Sequence, residues 1–438
     1  MARDPSLRRS RLATSVFRLS YGLLAAPVLA ALAVANARLA AGGDPLSAGA
    51  AERRDDLVPR LAFLEDELDQ GAGERMQRLF PEGYVFMHAL YGLAWANVAI
   101  AHGAAEPALR ERGVAEARWA AERIDSDAGR ASFDPSLDPP LGMFFTSWSS
   151  VVRAGVVLAS SAGGVRLDDA AALAHACEAI EAALASRATP FPPSYPDRAW
   201  PADAFPGMVV LRACDERLEA RHGATRAWWL RAVRARLDPE TGLVPHSCSA
   251  ASGAPGVQPR GGSSALMLRF WPELDAPLAA EQYALFRAAF VDTRLGLPAV
   301  LEYRRGVAGR GDVDSGPLLL GVSLPGSAVA IGAALRAGDS PLARALGVES
   351  EAFGLSLDVA GKKRQLLGLM PIGDAFVTWS WSATPWFGEA VALPDDVAGK
   401  PGGARWPLVV ASLALAAALA WPLTLEVQVR ARAGASHR

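Results

Sequence analysis

Helical periodicity that alternates in character constrains this chain most. Apolar residues recur at three- and four-residue spacing in about twelve segments, near 57–71, 81–103, 107–124, 143–161, 168–187, 201–221, 224–237, 262–274, 277–292, 315–338, 340–357 and 373–384. Segments 81–103, 143–161, 201–214 and 315–338 are apolar nearly all round, whereas 107–124 and 224–237 carry a charged face. A helix apolar on every side must be enclosed by protein, and one with a charged stripe lies half in water. Enclosed helices that each take a half-exposed partner predict an all-α (α/α)6 toroid, a six-hairpin barrel, whose ring closes with the helix near 315–338 packed beside the one near 81–103. An open helical solenoid would show a clearer sequence period. The 438 residues, 51% hydrophobic, are read as one such domain rather than two ordinary ones.

The two ends carry a different signal. Arg3, Arg8, Arg9, Arg11 and Arg18 precede an apolar stretch from about Leu19 to Ala35, a charged segment followed by a hydrophobic one that targets the chain to a membrane. Ala35-Asn36-Ala37 resembles a cleavage site, so a removed signal peptide stays open beside the favoured retained anchor. Trp406 to Leu425 runs without a charge and is flanked by Trp406 and Trp421, as expected of a transmembrane helix. Arg430, Arg432 and Arg438 follow it. Arginine at both ends places both in the cytoplasm by the positive-inside rule and the body outside it. The expected organisation is an anchor or signal over 1–37, the toroid over 38–400, and a transmembrane helix with a basic tail over 401–438. That puts the chain in the cell (inner) membrane, with its bulk extracytoplasmic or periplasmic.

Composition narrows the partners. Basic residues are nearly all arginine, with lysine only at 362, 363 and 400, which reads as codon bias, so the arginines carry no functional weight. With a formal net charge of -2 and no basic stripe outside the N-terminus, nucleic acid is not an expected partner. Cys177, Cys214 and Cys248 allow at most one bridge and have no CxxC spacing. No HExxH-like or clustered His/Asp spacing calls for a metal, and no cofactor is expected.

Local stretches resemble a known family. Tyr84-Val85-Phe86-Met87-His88-Ala89-Leu90-Tyr91-Gly92-Leu93-Ala94 is similar to the first inner helix of linalool dehydratase/isomerase-like proteins, which are (α/α)6 barrels. Tyr195-Pro196-Asp197, Thr225-Arg226-Ala227-Trp228, Leu237-Asp238-Pro239-Glu240-Thr241-Gly242, the helix from Gln282-Tyr283 to Phe290, and Glu302 with Gly311-Asp312-Val313-Asp314-Ser315-Gly316 follow in similar order, over roughly 80–340. The resemblance implies the barrel and acid–base chemistry in its centre. The family's two cysteines and inner-helix histidine fall here on Ser194, Asp203 and about Ser147, and a serine cannot replace a thiol as acid or base near neutral pH. Dehydration of a terpene alcohol therefore does not carry over.

The candidate catalytic residues are Asp203, Glu302, Asp312, Asp314 and His246. Asp203 follows Trp200-Pro201-Ala202, where it either caps a helix or acts as an acid. One of Asp312 and Asp314 is expected to cap the helix that follows, leaving the other for chemistry. Glu302, in an apolar run, must be paired or protonated, with Arg304 or Arg305 as the expected partner. His246 either shuttles protons or fixes its loop. Cys248 beside it raises a thiol nucleophile with no third residue to orient it. Tyr84, His88, Trp148, Tyr195, Asp197 and Trp200 are the candidate substrate-binding residues. The aromatic ones suit stacking on sugar rings or contact with a terpenoid or lipid skeleton, and equally core packing; His88, on the most apolar helix, is expected in the core.

Three functions remain open. The first is an acid–base enzyme on a glycan, hydrolase or lyase; the second a hydratase or dehydratase on an apolar alcohol, with Asp203 in a cysteine's place; the third a non-catalytic module binding an envelope glycan or partner. The expected partners are a small-molecule or glycan substrate and the membrane. Converging carboxylates without apolar depth favour the first, a deep apolar pocket the second and a plugged cavity the third.

Overall fold

The computed structural model describes residues 5–41, 50–161, 163–388, 391, 393 and 406–435, with side chains of the two terminal helices described over 20–41 and 406–422. The arginines that flank the apolar ends lie outside the described side chains. The chain is mostly helical. Terminal helices α1 (Pro5–Ala41) and α14 (Trp406–Ala435) bracket α2 (Ala50–Asp69), α3 (Gly83–His102), α4 (Pro107–Ile124), α5 (Gly142–Ala159), α6 (Leu167–Ala185), α7 (Pro201–Arg217), α8 (Gly223–Arg234), α9 (Gly261–Leu268), α10 (Ala276–Phe290), α11 (Leu324–Ala337), α12 (Ser340–Phe353) and α13 (Pro371–Trp381). Short antiparallel pairings that the periodicity did not reveal sit on the connections: Arg198–Ala199 with Ser247–Ser249 and Pro255–Val257, Val291–Arg294 with Leu297–Val300, and Leu357–Val359 with Lys362–Arg364.

Local chemistry sets the helix starts. Proline stands in the first turn of α4, α7, α10, α11, α12 and α13, where its missing N–H costs nothing. Side chains of Asp275, Ser323 and Asp339 accept from the amides of Leu278, Gly326 and Leu342. Each such cap is worth about 1 kcal/mol. The Ser323 cap starts α11 at Leu324, so the expected helix over 315–338 loses its first nine positions to turns. Neither Asp312 nor Asp314 caps it.

The apolar helices pack on one another in a cycle. α3 contacts α5, α5 contacts α7, α7 contacts α9, α9 contacts α11, α11 contacts α13, and α13 contacts α3. The amphipathic helices lie outside it: α2 touches α13 and α3, α4 touches α3 and α5, α6 touches α5 and α7, α8 touches α7, α10 touches α9 and α11, and α12 touches α11. The segment over 315–338 was expected beside 81–103. Instead α13 stands there, and α11 packs on α9, α12 and α13.

Aromatic rings fill the middle of the cycle. Phe86 of α3 meets Phe144 and Trp148 of α5 at 5.0 Å between ring centres, and Trp148 meets Phe270 and Trp379 at 5.9 and 6.0 Å. Past this layer, at the C-terminal ends of the inner helices, the segment after α13 closes the interior. Trp386 Nε1 donates to Asn97 Oδ1 at 2.8 Å, and the amides of Trp386 and Phe387 donate to the Glu273 carboxylate, each at 3.2 Å. Arg336 pairs with the same carboxylate at 2.9 Å. A cavity of only about 20 Å³ remains there, lined by Asn97, Glu273, Trp379 and Trp386, enough for one water.

Among the described residues, three helices are long and apolar enough to cross a membrane: Ser20–Ala41, Gly83–His102 and Gly142–Ala159. The last two are α3 and α5, each 83% buried, and their hydrophobicity is that of a core; Ser20–Ala41 is only 17% buried, which suggests membrane association. The described part of α14, Trp406–Pro422, is apolar and shorter. The two terminal helices touch, with Asn36 Nδ2 donating to Ser412 Oγ at 3.1 Å.

Candidate acid–base site

At the end of the cycle opposite the Trp386 closure, the connections from outer to inner helices bring acidic residues together. Pro201 opens α7 after an extended Trp200, and Asp203 falls in its first turn, almost fully buried. Its carboxylate makes no cap. Ser194 Oγ donates to Asp203 Oδ2 at 2.5 Å. Burial pushes the Asp203 carboxyl up to about 8, against the Ser194 hydrogen bond and with help from the charges of Glu82 and Asp314. Glu82, just before α3, accepts from the Tyr195 hydroxyl. Burial raises its pKa too, and Asp314 adds to the rise.

Glu302 enters from the strand that follows α10. Its backbone is fixed on both sides, its amide donating to Gly321 O at 3.0 Å and its carbonyl accepting from Gly261 N at 2.9 Å. Gly261 has to be glycine, since a Cβ there would lie 1.9 Å from Leu301 O. The Glu302 side chain is buried and reaches Arg260 at 3.8 Å, not the expected Arg304 or Arg305. Arg304 instead pairs with Glu240 at 2.6 Å, and Arg305 Nε donates to Ala288 O at 2.9 Å. Burial raises the Glu302 pKa to about 7, although Arg260 lowers it.

Arg260 ties the second half of the site together. It binds the Asp312 carboxylate, which also accepts from the Ser315 amide at 3.1 Å; these partners outweigh partial burial and keep Asp312 below the usual carboxylate range. Asp314 is exposed as a residue, yet the protein packed round its carboxyl and the charge of Asp312 raise its pKa. His246 is held by its amide to Val257 O at 3.0 Å, and burial next to Arg260 lowers its imidazole to about 4, so it is neutral at pH 7. His246 Nδ1 and Glu302 Oε2 are buried and unpaired. Asp203, Glu302, Asp312, Asp314 and His246 thus share one electrostatic neighbourhood, joined through Arg260, Asp312 and Asp314.

The six candidate binding residues divide. Tyr195 and Trp200 stand at the site, edge to face at 5.4 Å. Trp148 is fully buried in the aromatic layer beneath it. Tyr84 and His88 are not at the site: their rings lie 4.3 Å apart and His88 faces Trp119 of the outer helix α4 at 5.6 Å. His88 Nδ1 is bonded to Tyr84 O at 2.9 Å, and burial lowers its pKa to about 4, the state of a neutral core histidine. Asp197 is exposed in a turn with φ of 63°. Ser147 Oγ is buried without a partner, beside Gly207. Glu82, Ser194 and Arg260 belong to the cluster and were not among the candidates.

Cys248 does not serve as a thiolate: burial pushes its pKa up to about 11. Cys177 and Cys214 form a disulfide joining α6 to α7. With His222 they make the one grouping of possible metal ligands within 4.8 Å among the described residues, but the bridge occupies both sulfurs and His222 Nδ1 bonds Glu181 at 3.1 Å.

No family model matches the sequence. No curated protein matches it either.

Proposed function

We propose that this is a membrane-anchored, extracytoplasmic (α/α)6-toroid enzyme that cleaves a glycan by acid–base chemistry. The observation that carries the reading is a pair of carboxyls in one cluster, Asp203 and Glu302, raised to about 8 and about 7 beside an Asp312 kept ionised by Arg260. Carboxyls of one cluster that give up their protons at different pH are what glycosidic cleavage needs. Asp203, protonated at pH 7, gives its proton to the departing glycosidic oxygen. Glu302, once ionised, takes the proton of the attacking water, and the elements of water end on the two products. Tyr195 and Trp200 offer ring faces to a sugar.

The helix cycle supports the toroid. The contacts of Asn36 with Ser412 support an N-terminal segment that stays attached. The disulfide fits an oxidising compartment, hence the extracytoplasmic side. In spheroplasts, added protease is expected to cut within 50–388 while a tag after Arg438 stays protected; a protected body would overturn the localisation. A dehydratase acting on an apolar alcohol needs apolar depth beneath the acid, and Phe86, Phe144, Trp148 and Phe270 occupy that space.

The functional test is the release of new reducing ends from cell-envelope polysaccharides and oligosaccharides as a function of pH. Turnover is expected to peak between the ionisation of Glu302 near 7 and the loss of the Asp203 proton near 8. Ultraviolet absorbance of an unsaturated product would mark a lyase instead of a hydrolase. Binding without any new ends would leave the non-catalytic module.

A further inference from the structure

The face that carries the carboxylates also holds the terminal helices. Arg38, near the end of α1, donates to Glu351 O at 2.8 Å and Ser356 O at 2.5 Å, where α12 gives way to the strand before α13. Leu39 is buried with Leu297, Val348 and Ala352, and Leu408 of α14 packs against them. All these points lie at or near connections from an outer to an inner helix, as do Glu82, Asp203, Glu302 and Asp314.

On the same face large apolar side chains stand in water. Leu295, Leu319 and Leu320 flank the Glu302 strand, and Leu366, Leu367 and Leu369 precede α13; Leu367 is 62% and Leu369 79% exposed. At the opposite face the exposed large hydrophobics among the described residues are Leu167 and Leu218. The backbone makes the contrast sharper. Leu295, Leu320, Leu366 and Leu367 hold φ of 51°, 55°, 47° and 60°, in the left-handed region where glycine would be unstrained. A leucine there strains the chain, and in water its side chain gains nothing in return. In an acyl layer it does.

The geometry points to this face lying on the bilayer that α1 and α14 enter, with the leucine loops dipped below the headgroups and the carboxylate cluster opening at headgroup level. Continuity with the two docked helices is what identifies the occupant as that bilayer rather than a protein. Resting on the glycan reading above, the substrate class is then a membrane-resident amphiphile, a sugar head carried on a lipid, taken from the headgroup layer without leaving it.

The test uses the full chain in phosphatidylcholine–phosphatidylglycerol vesicles with nitroxide labels at Leu320→Cys, Leu367→Cys and, on the far face, Leu167→Cys; native Cys248 is buried and does not compete for label. The ratio of oxygen to nickel-chelate accessibility is expected to be several-fold higher at 320 and 367 than at 167. Equal, water-like ratios at all three overturn the orientation. Turnover of a vesicle-embedded glycolipid is then compared with turnover of its sugar head freed from lipid, and the embedded form is expected to react at least several-fold faster. Equal rates overturn the substrate class. Lipid-exposed labels with no turnover of either form sink the enzyme reading and leave the orientation standing.

Discussion

Asp203→Asn is expected to abolish turnover and to raise the thermal stability of the domain. The carboxyl of Asp203 titrates near 8 in the folded chain against 3.8 for the free side chain, because burial disfavours its charge. Between those values the unfolded chain has lost the proton while the folded chain keeps it, so the unfolded state binds fewer protons and stability falls as pH rises. At about 1.4 kcal/mol per pH unit the loss reaches on the order of 5 kcal/mol by pH 8, an upper bound since buried groups relax. Below pH 4 both states hold the proton and nothing is lost. Asparagine keeps an oxygen for the Ser194 hydroxyl and removes the ionisation. The variant should therefore match wild type in melting temperature near pH 4, exceed it by several degrees at pH 8, and show no turnover at either. A variant less stable at pH 8 would make Asp203 a structural carboxylate.

Glu273→Ala is expected to be the most damaging single change on the far side of the domain, by about 3–5 kcal/mol. Glu273 is buried and accepts from Arg336 and from the amides of Trp386 and Phe387, so its loss strands a buried guanidinium and frees the segment that closes the interior. Arg269, buried over the Trp379 ring at 4.9 Å, would lose the carboxylate that supports its charge. Glu273→Gln keeps the acceptor and should cost less than the alanine change. Chemical denaturation of the two variants measures the difference, and an alanine variant within about 1 kcal/mol of wild type would mean the closure holds without its anchor.

The legible part of the fold was the alternation of enclosed and amphipathic helices, because burial on all sides leaves no room for charge. The start of the helix expected over 315–338 was misplaced because Leu318, Leu319, Leu320 and Val322 imitate helical spacing ahead of Ser323, although they form turns and bridges beside the Glu302 strand. Aromatic residues at helix starts were too coarse a guide to the interior. Tyr84 and His88 stand four apart on one helix face, which meets α4, while Phe86 between them faces the centre. Glu302 stood out because an acid in an apolar run is costly unless used, and Asp203, Asp312 and Asp314 because they stand at the entrances of apolar helices. Glu82 gave no such signal, since an acid just before a helix is ordinary. Arg260 was hidden by the abundance of arginine, and only its position beside Asp312 and Glu302 distinguishes it.

In the proposed reaction the cluster keeps a carboxylic acid protonated at neutral pH as the proton donor. Infrared difference titration of the full chain in vesicles reads this without a substrate, through the carbonyl band of a protonated carboxyl. A band titrating near 8 is expected, lost in Asp203→Asn and kept in Asp374→Asn, whose buried carboxyl titrates near 7 outside the cluster. A chain with no carboxyl titrating near 8, or one whose band survives Asp203→Asn, would contradict it.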